Sequence, residues 1–218
     1  PGPFFSTVVL GVNALLLGGT EEQKQRVLPA VAAGDHRLAF ALIDAGGGQW
    51  SLDDVSATAR IEGSVVTLEG EKSFVIDGHT ADTLIVAARD GDDNVDFWLV
   101  PRTAEGVSAQ RVETLDMTRK QADVTFEGVM VTIDDRLGGA GSGAALLGPL
   151  YDIAGVGLAY ESVGGSQACL EMAVEYAKER KQFGRAIGSF QAVKHKCADM
   201  LVQVESAKSA AYAAGWAA

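Results

Sequence analysis

The chain has 218 residues, 47% hydrophobic and 22% charged, which suits one large or two small globular domains. A formal net charge of −11 argues against nucleic acid as a partner, because phosphate backbones need a basic footprint. A phosphorylated cofactor, which needs only a local cationic pocket, stays open. No run of 18 apolar residues predicts a transmembrane helix. The opening PGPFFSTVVLGVNALLLGG lacks the basic start of a signal peptide and is interrupted by Gly11 and Asn13, so no membrane is expected.

Cys169 and Cys197 have neither metal-site nor redox-motif spacing and read as reduced thiols on helices, consistent with a cytoplasmic location. His36, His79 and His195 are too far apart in sequence to suggest a metal site and read as surface or satisfied histidines. Pro1 is not an initiator residue and AAYAAGWAA stops without a capping signal. Both ends therefore read as internal to something longer.

In chain order, Phe4 to Gly34 is expected to be helical. Thr20 followed by Glu21 and Glu22 marks a helix start, with acids at the positive end of the dipole, and Leu28, Val31 and Ala32 share one face. From about Leu38 to Val131 the period changes. LAFALID, VSATARIE, VVTLEG, SFVID, TLIVAAR, VDFWLV, GVSAQRV and ADVTFEGVMV are short, rich in β-branched residues and bounded by Gly, Asp or Asn. Gly63 separates the second and third like a hairpin. Seven or eight such segments suggest a sandwich or barrel, and the lack of intervening helices disfavours a parallel Rossmann sheet. The run GGAGSG, Gly138 to Gly143, reads as a linker, since no Lys-Ser/Thr follows it as a phosphate loop requires.

From about Ala144 the helical period returns. Val163, Gln167, Leu170, Val174 and Ala177 recur at helical spacing. Ser189 is a plausible N-cap for a second helix, along which Phe190, Val193, Cys197, Met200, Val204, Ala207 and Ala211 form the seam of an antiparallel bundle.

The most specific segment is Glu179-Arg180-Lys181-Gln182-Phe183-Gly184-Arg185, then Ile187, Phe190-Gln191 and Ala198-Asp199-Met200. It resembles the C-terminal signature of the acyl-CoA dehydrogenase family, in which a long helix ends in R-K-x-F-G, turns, and restarts at F-Q. EGEKSFVIDGHTADTLIVAA, VTFEGVMV and the early TEEQKQRVLPAVAAG resemble further segments of that family in the same order. The resemblance implies an α+β architecture of three parts: residues 1–36 as the end of an N-terminal helical domain, 37–136 as a middle β-domain of barrel or sandwich type, and 137–218 as the first part of a C-terminal helical bundle.

It also implies FAD as cofactor, an acyl-CoA thioester as substrate, an electron-transfer flavoprotein as electron acceptor, and a homo- or heterotetramer. Arg180 matches an arginine that reaches the FAD pyrophosphate across a subunit interface, and a guanidinium at a helix C-terminus offers a planar fork suited to phosphate oxygens. Phe183 and Gln191 match residues of the same cross-subunit site. Ile43 to Trp50 matches the flavin loop T-E-P-x-A-G-S-D. The acid and the glycines, Gly48 among them, are kept, while both hydroxyls are replaced, by Ile43 and Gln49. Phe74 stands where an aromatic usually covers the isoalloxazine, and Ile76 replaces a threonine that donates to the flavin. Asp152 matches the acid of D-x-x-R near the substrate, but the arginine position is Gly155. A catalytic glutamate position on that helix is Ala154, and the commoner one would lie beyond Ala218. Three readings stand at this point: a flavoenzyme acting on acyl-CoA, with steroid side-chain or fatty-acid oxidation as the context the resemblance implies; a degenerate partner subunit that completes a neighbouring flavin site; and a non-enzymatic helical module.

Overall fold

The structure is a computed structural model that describes residues 2–46 and 48–218, so Pro1 and Gly47 of the loop reading lie outside the described residues. It divides into two compact units, Pro1–Tyr151 and Asp152–Ala218.

The first unit opens with a π-helical segment, Phe5–Val12, continuing into α1, Asn13–Gly18. Helix α2, Glu21–Ala33, follows. Thr20 caps it through a full capping box, its hydroxyl accepting from the Gln23 amide at 3.2 Å while the Gln23 side chain accepts from the Thr20 amide at 2.9 Å. The face that α2 buries is Gln23 and Val27. Leu28 and Val31 are half-buried and Ala32 is exposed, so the expected face is rotated by about one residue. The cause is Gln23, whose amide also donates to the Asp134 and Arg136 carbonyls at 2.7 and 3.0 Å and turns a polar side chain inward.

Strands β1 (Leu38–Ala41), β2 (Thr58–Glu62), β3 (Val65–Ile76), β4 (Thr83–Arg89), β5 (Val95–Pro101), β6 (Val107–Val112), β7 (Gln121–Thr132) and β8 (Arg136–Leu137) form one mixed sheet in the order β6-β7-β3-β2-β4-β5-β8, with β1 pairing parallel to β4. The hairpin at Gly63 forms, with Gly63 at φ 65°. VVTLEG and SFVID, expected as separate strands, are the two halves of β3. The chain does not turn between them; instead the pairing with β7 slips at Leu68/Gly70 and again at Lys72/Val75, which lets one strand bend without ending. Inward residues of β2, β3, β4, β5 and β7 meet in one apolar cluster that includes Val66, Leu84, Trp98, Val124 and Phe126, so the sheet curls over its own core.

The glycine run is ordered against the sheet. Asp96, 1% exposed, accepts from the Gly141 and Ser142 amides at 3.1 and 3.0 Å. A side chain at Gly143 would sit 2.0 Å from the Val95 carbonyl, so glycine is required there.

Helix α3, Gly143–Glu179, runs from the first unit into the second. It is long and apolar enough by composition alone to cross a membrane, but Asp152 and Glu161 interrupt its first half, and such averages equally describe a bundle helix. Within the second unit it pairs with α4, Gln191–Ala217. Leu170 and Ala177 are buried and Val163, Gln167 and Val174 half-buried on that part of α3, as the spacing predicts, and Ala173 is half-buried beside them. On α4, Val204 and Ala211 are buried, while Ala207 is exposed. Tyr160 meets Tyr212 edge-on at 5.4 Å, near the far end of the pair from the connecting turn. Ser189 is not the N-cap of α4. It lies in a 3-10 turn, Ile187–Ser189, with its hydroxyl donating to the Ala186 carbonyl at 2.7 Å, and Phe190 takes the cap position.

Replacing Gln23 by Ala removes the partner of two carbonyls as well as half of the capping box. We expect it to lower stability by about 2 kcal/mol or more in urea denaturation, against about 1 kcal/mol for Thr20→Ala. Equal losses would mean that only the cap matters.

Candidate functional site

The first unit brings four separate segments to one cavity of about 160 Å³, lined by Leu10, Phe40, Leu42, Ile43, Trp50, Ser73, Phe74, Val75, Ile76 and Gln121. Ile43 and Phe74, singled out in the sequence, are both in its wall, and so is Ile76. Phe74 is 48% exposed and holds φ 56°, a left-handed backbone that costs an aromatic residue roughly 1–3 kcal/mol unless its surroundings fix it. Trp50 lies against Phe40 at 5.9 Å and Tyr151 at 6.3 Å. Gly48 is exposed on the loop beside Asp54 and is not part of the wall.

The loop is held by a buried ion pair. Lys72 is fully buried and Asp44 is 7% exposed. The Lys72 ammonium donates to the Asp44 carboxylate and, at 3.1 Å, to the Leu42 carbonyl. The other Asp44 oxygen accepts from the Ser56 amide, from the Ser56 hydroxyl at 2.7 Å, and from the Ala57 amide at 2.9 Å. Backbone bonds bracket the pair: the Ala45 amide donates to Glu71 at 3.1 Å and the Ser73 amide to Ile43 at 2.8 Å. Burial by itself pushes the Asp44 carboxyl up, but hydrogen bonds from Lys72 and Ser56 and the Lys72 charge outweigh it and hold it below the usual carboxylate range. Burial draws Lys72 below the usual lysine value, with Asp44 opposing.

The second unit carries the other sequence-predicted residues. Arg180 follows α3, its amide donating to the Tyr176 carbonyl at 2.9 Å and its carbonyl accepting from Ile187 at 2.7 Å. Strands β9 (Lys181–Gln182) and β10 (Arg185–Ala186) then make a two-residue hairpin. Its tip is Phe183 at φ 53° and Gly184 at φ 77°, the sign pair of a type I′ turn. Phe183 is 92% exposed, an aromatic held in a strained backbone and presented to the outside, with Phe190 edge-on at 6.1 Å. The Arg185 guanidinium stacks 4.1 Å over Phe190. Gln191 is the exposed first residue of α4, and Asp152 is exposed on α3.

Lys72, Ser56 and Trp50 were not among the sequence candidates. A signal for Lys72 existed, since it stands among the inward-facing positions of β3 with Val66 and Leu68, where a charge needs a partner. His79 also departs from expectation. It is half-buried, and among the described residues its Nδ1 has no hydrogen-bond partner, while burial and the Arg111 charge hold it below the usual histidine range against the pull of Asp77.

Two family models match the chain. That of the acyl-CoA dehydrogenase middle domain covers residues 39–129 and that of the acyl-CoA dehydrogenase C-terminal domain covers residues 151–218. The mitochondrial isovaleryl-CoA dehydrogenase of Solanum tuberosum is 35% identical over 209 residues, 93% of this chain and 50% of that protein. CarC, a subunit of the caffeyl-CoA reductase–Etf complex of Acetobacterium woodii, is 34% identical over 93% of this chain and 55% of its own length. An acyl-CoA dehydrogenase from Bacillus anthracis, solved in complex with FAD, superimposes with a TM-score of 0.91 at 28% identity, covering 96% of this chain and 36% of that one. The chain spans about half the length of the curated relatives it matches.

The Asp44 shift fixes an acid dependence. Its folded pKa lies below the unfolded value of about 3.9, so its stabilisation is fully present above that value and is lost as pH falls through the lower, folded one. Asp44→Asn is expected to cost about 3–5 kcal/mol at neutral pH, since it strands the buried ammonium. Its stability should then fall less steeply with acid than that of the wild type in denaturation series between about pH 5 and pH 2. Parallel slopes would contradict a charged, paired Asp44.

Proposed function

The chain belongs to the acyl-CoA dehydrogenase family, and we propose that it holds FAD for the α,β-dehydrogenation of an acyl-CoA thioester, as an acyl-CoA dehydrogenase or a subunit of one. The observation that carries this reading is the meeting of Ile43, Phe74 and Ile76 around one cavity, when the family resemblance had assigned all three to the flavin from separate parts of the sequence. The residues fit the face of such a group better than its polar edge. The wall is apolar and aromatic, while the positions from which hydroxyls would donate are Ile43 and Ile76.

When bound, FAD supplies the acceptor for the hydride that leaves the β-carbon. The chain's own residues position it. Phe74 offers an aromatic face and Ile43 an apolar wall. Arg180 presents a guanidinium fork for phosphate oxygens, Phe183 an exposed aromatic beside it, and Gln191 polar groups at the start of α4, these three serving a neighbouring subunit's cofactor. Asp152, exposed on α3, is assigned to the substrate by the family resemblance. The base that takes the α-proton is not supplied at the α3 position Ala154. Electrons leave to an electron-transfer flavoprotein, a partner class supported by the similarity to CarC, a subunit of a caffeyl-CoA reductase–Etf complex, and the assembly is a homo- or heterotetramer in the cytoplasm.

A second reading has its own support. Ile43, Gln49, Ile76 and Gly155 together remove donors and a supporting arginine, which suits a partner subunit that completes a neighbouring site without a full one of its own. The visible spectrum of the native protein, alone and with its genomic neighbour, separates the two. Flavin absorbance in the lone protein supports the self-sufficient enzyme, and colour only in the co-purified pair supports the partner subunit. In whichever form is yellow, Arg180→Ala is expected to weaken FAD retention about tenfold, the worth of one charge-assisted contact. Unchanged retention would leave Arg180 as a solvated turn residue.

A further inference from the structure

We propose that Lys72 and Asp44 are positioning residues of the flavin site, a buried pair that sets the distance and register between the two walls of the cavity. The inference rests on the reading just given for what the cavity holds, but the pinning itself can be measured without any flavin.

Three segments meet at the Lys72 ammonium. Leu42 and Asp44 belong to the loop that carries Ile43, while Ser56 and Ala57, held by the same carboxylate, lead into β2. Lys72 itself is two residues before Phe74 on β3. The ladder pairs Gly70, Glu71 and Lys72 with β7 but leaves Ser73 and Phe74 without ladder partners. The register between β3 and β7 shifts once before Gly70 and again after Lys72, and Phe74 falls within the second shift with a left-handed backbone. A residue in that conformation keeps it only when something outside the ladder holds it. The fixed points beside it are the Asp44–Lys72 pair, the backbone bonds Ala45 to Glu71 and Ser73 to Ile43, and a long bond of 3.4 Å from the Phe74 amide to the Asp123 carboxylate. The approach is close elsewhere as well, because a side chain at Gly70 would meet Ala57 at 2.8 Å.

Stability alone does not account for a charge pair here. Two well-packed apolar side chains of similar volume would hold the segments as firmly or more so, since burying an ammonium and a carboxylate costs about what their attraction returns. What apolar packing does not supply is direction. A lysine that must reach both a carboxylate and a carbonyl, and a carboxylate that must also cap two amides, admit one relative placement of the three segments.

The test separates holding from positioning with two variants of the native protein, Lys72→Met and the double variant Lys72→Met/Asp44→Asn. Melting temperature, FAD dissociation constant and hydrogen exchange at the Ala45 and Ser73 amides are measured for each. Lys72→Met leaves a buried carboxylate unpaired and is expected to melt lower. The double variant leaves no buried charge and is expected to recover most of that loss. If the pair positions the walls, the double variant still binds FAD about tenfold or more weakly than wild type, as small displacements in a preorganised site do, and both amides exchange faster in the apo protein. Wild-type FAD affinity with wild-type exchange in the double variant would overturn the proposal. If the wild type binds no FAD either alone or with its genomic neighbour, the flavin reading fails on its own. The exchange arm still decides the pinning: faster exchange at Ala45 and Ser73 supports it and unchanged exchange overturns it.

Discussion

A lysine with no exposed surface sets the terms for the first unit. An ammonium in a protein interior is tolerated only with a counter-charge and hydrogen bonds. Lys72 obtains these from a loop almost thirty residues earlier in the chain, through Asp44 and the Leu42 carbonyl. Meeting that demand draws the loop after β1 onto the bend of β3. The cavity between Ile43 and Phe74 lies beside that contact, with Trp50 and Phe40 in its wall.

The second unit solves a different problem by local means. Two long helices are reversed by a tight hairpin whose two-residue tip requires left-handed backbone at both positions. Gly184 meets that need without strain and Phe183 does not. The strain, together with near-complete exposure of the ring, marks the tip as shaped for contact rather than for stability. Arg185 stacked on Phe190 stiffens the base of the hairpin, and Arg180 stands where the α3 carbonyls end.

Much of this was legible in the sequence. Period-two runs bounded by Gly, Asp and Asn located the strands, and the three-and-four spacing from Val163 to Ala177 located the packed face of α3. Thr20 read correctly as a cap. The misses share a cause, which is that long-range partners override local pattern. Gln23 faces inward because carbonyls of Asp134 and Arg136 lie there, which no helical wheel contains. SFVID joins VVTLEG in one strand because β7 follows both through its slips. Ser189 has the right residue type for a cap, but its hydroxyl is spent on Ala186 within the turn. At the site, Ile43 and Phe74 were found by resemblance. Lys72 was passed over because a lysine in a strand reads as solvent-facing until its phase with Val66 and Leu68 is noticed.

A flavin in this cavity would border the edge formed by Ile43 and Ile76, where hydrogen-bond donors are lacking. The most direct measurement is the FAD dissociation constant of the native protein carrying Ile43→Thr and Ile76→Thr together, compared with wild type. Two restored hydroxyls at that edge, each worth about 1 kcal/mol, should tighten binding about tenfold or more. An unchanged or weaker affinity, in a variant that melts as the wild type does, would place the flavin elsewhere.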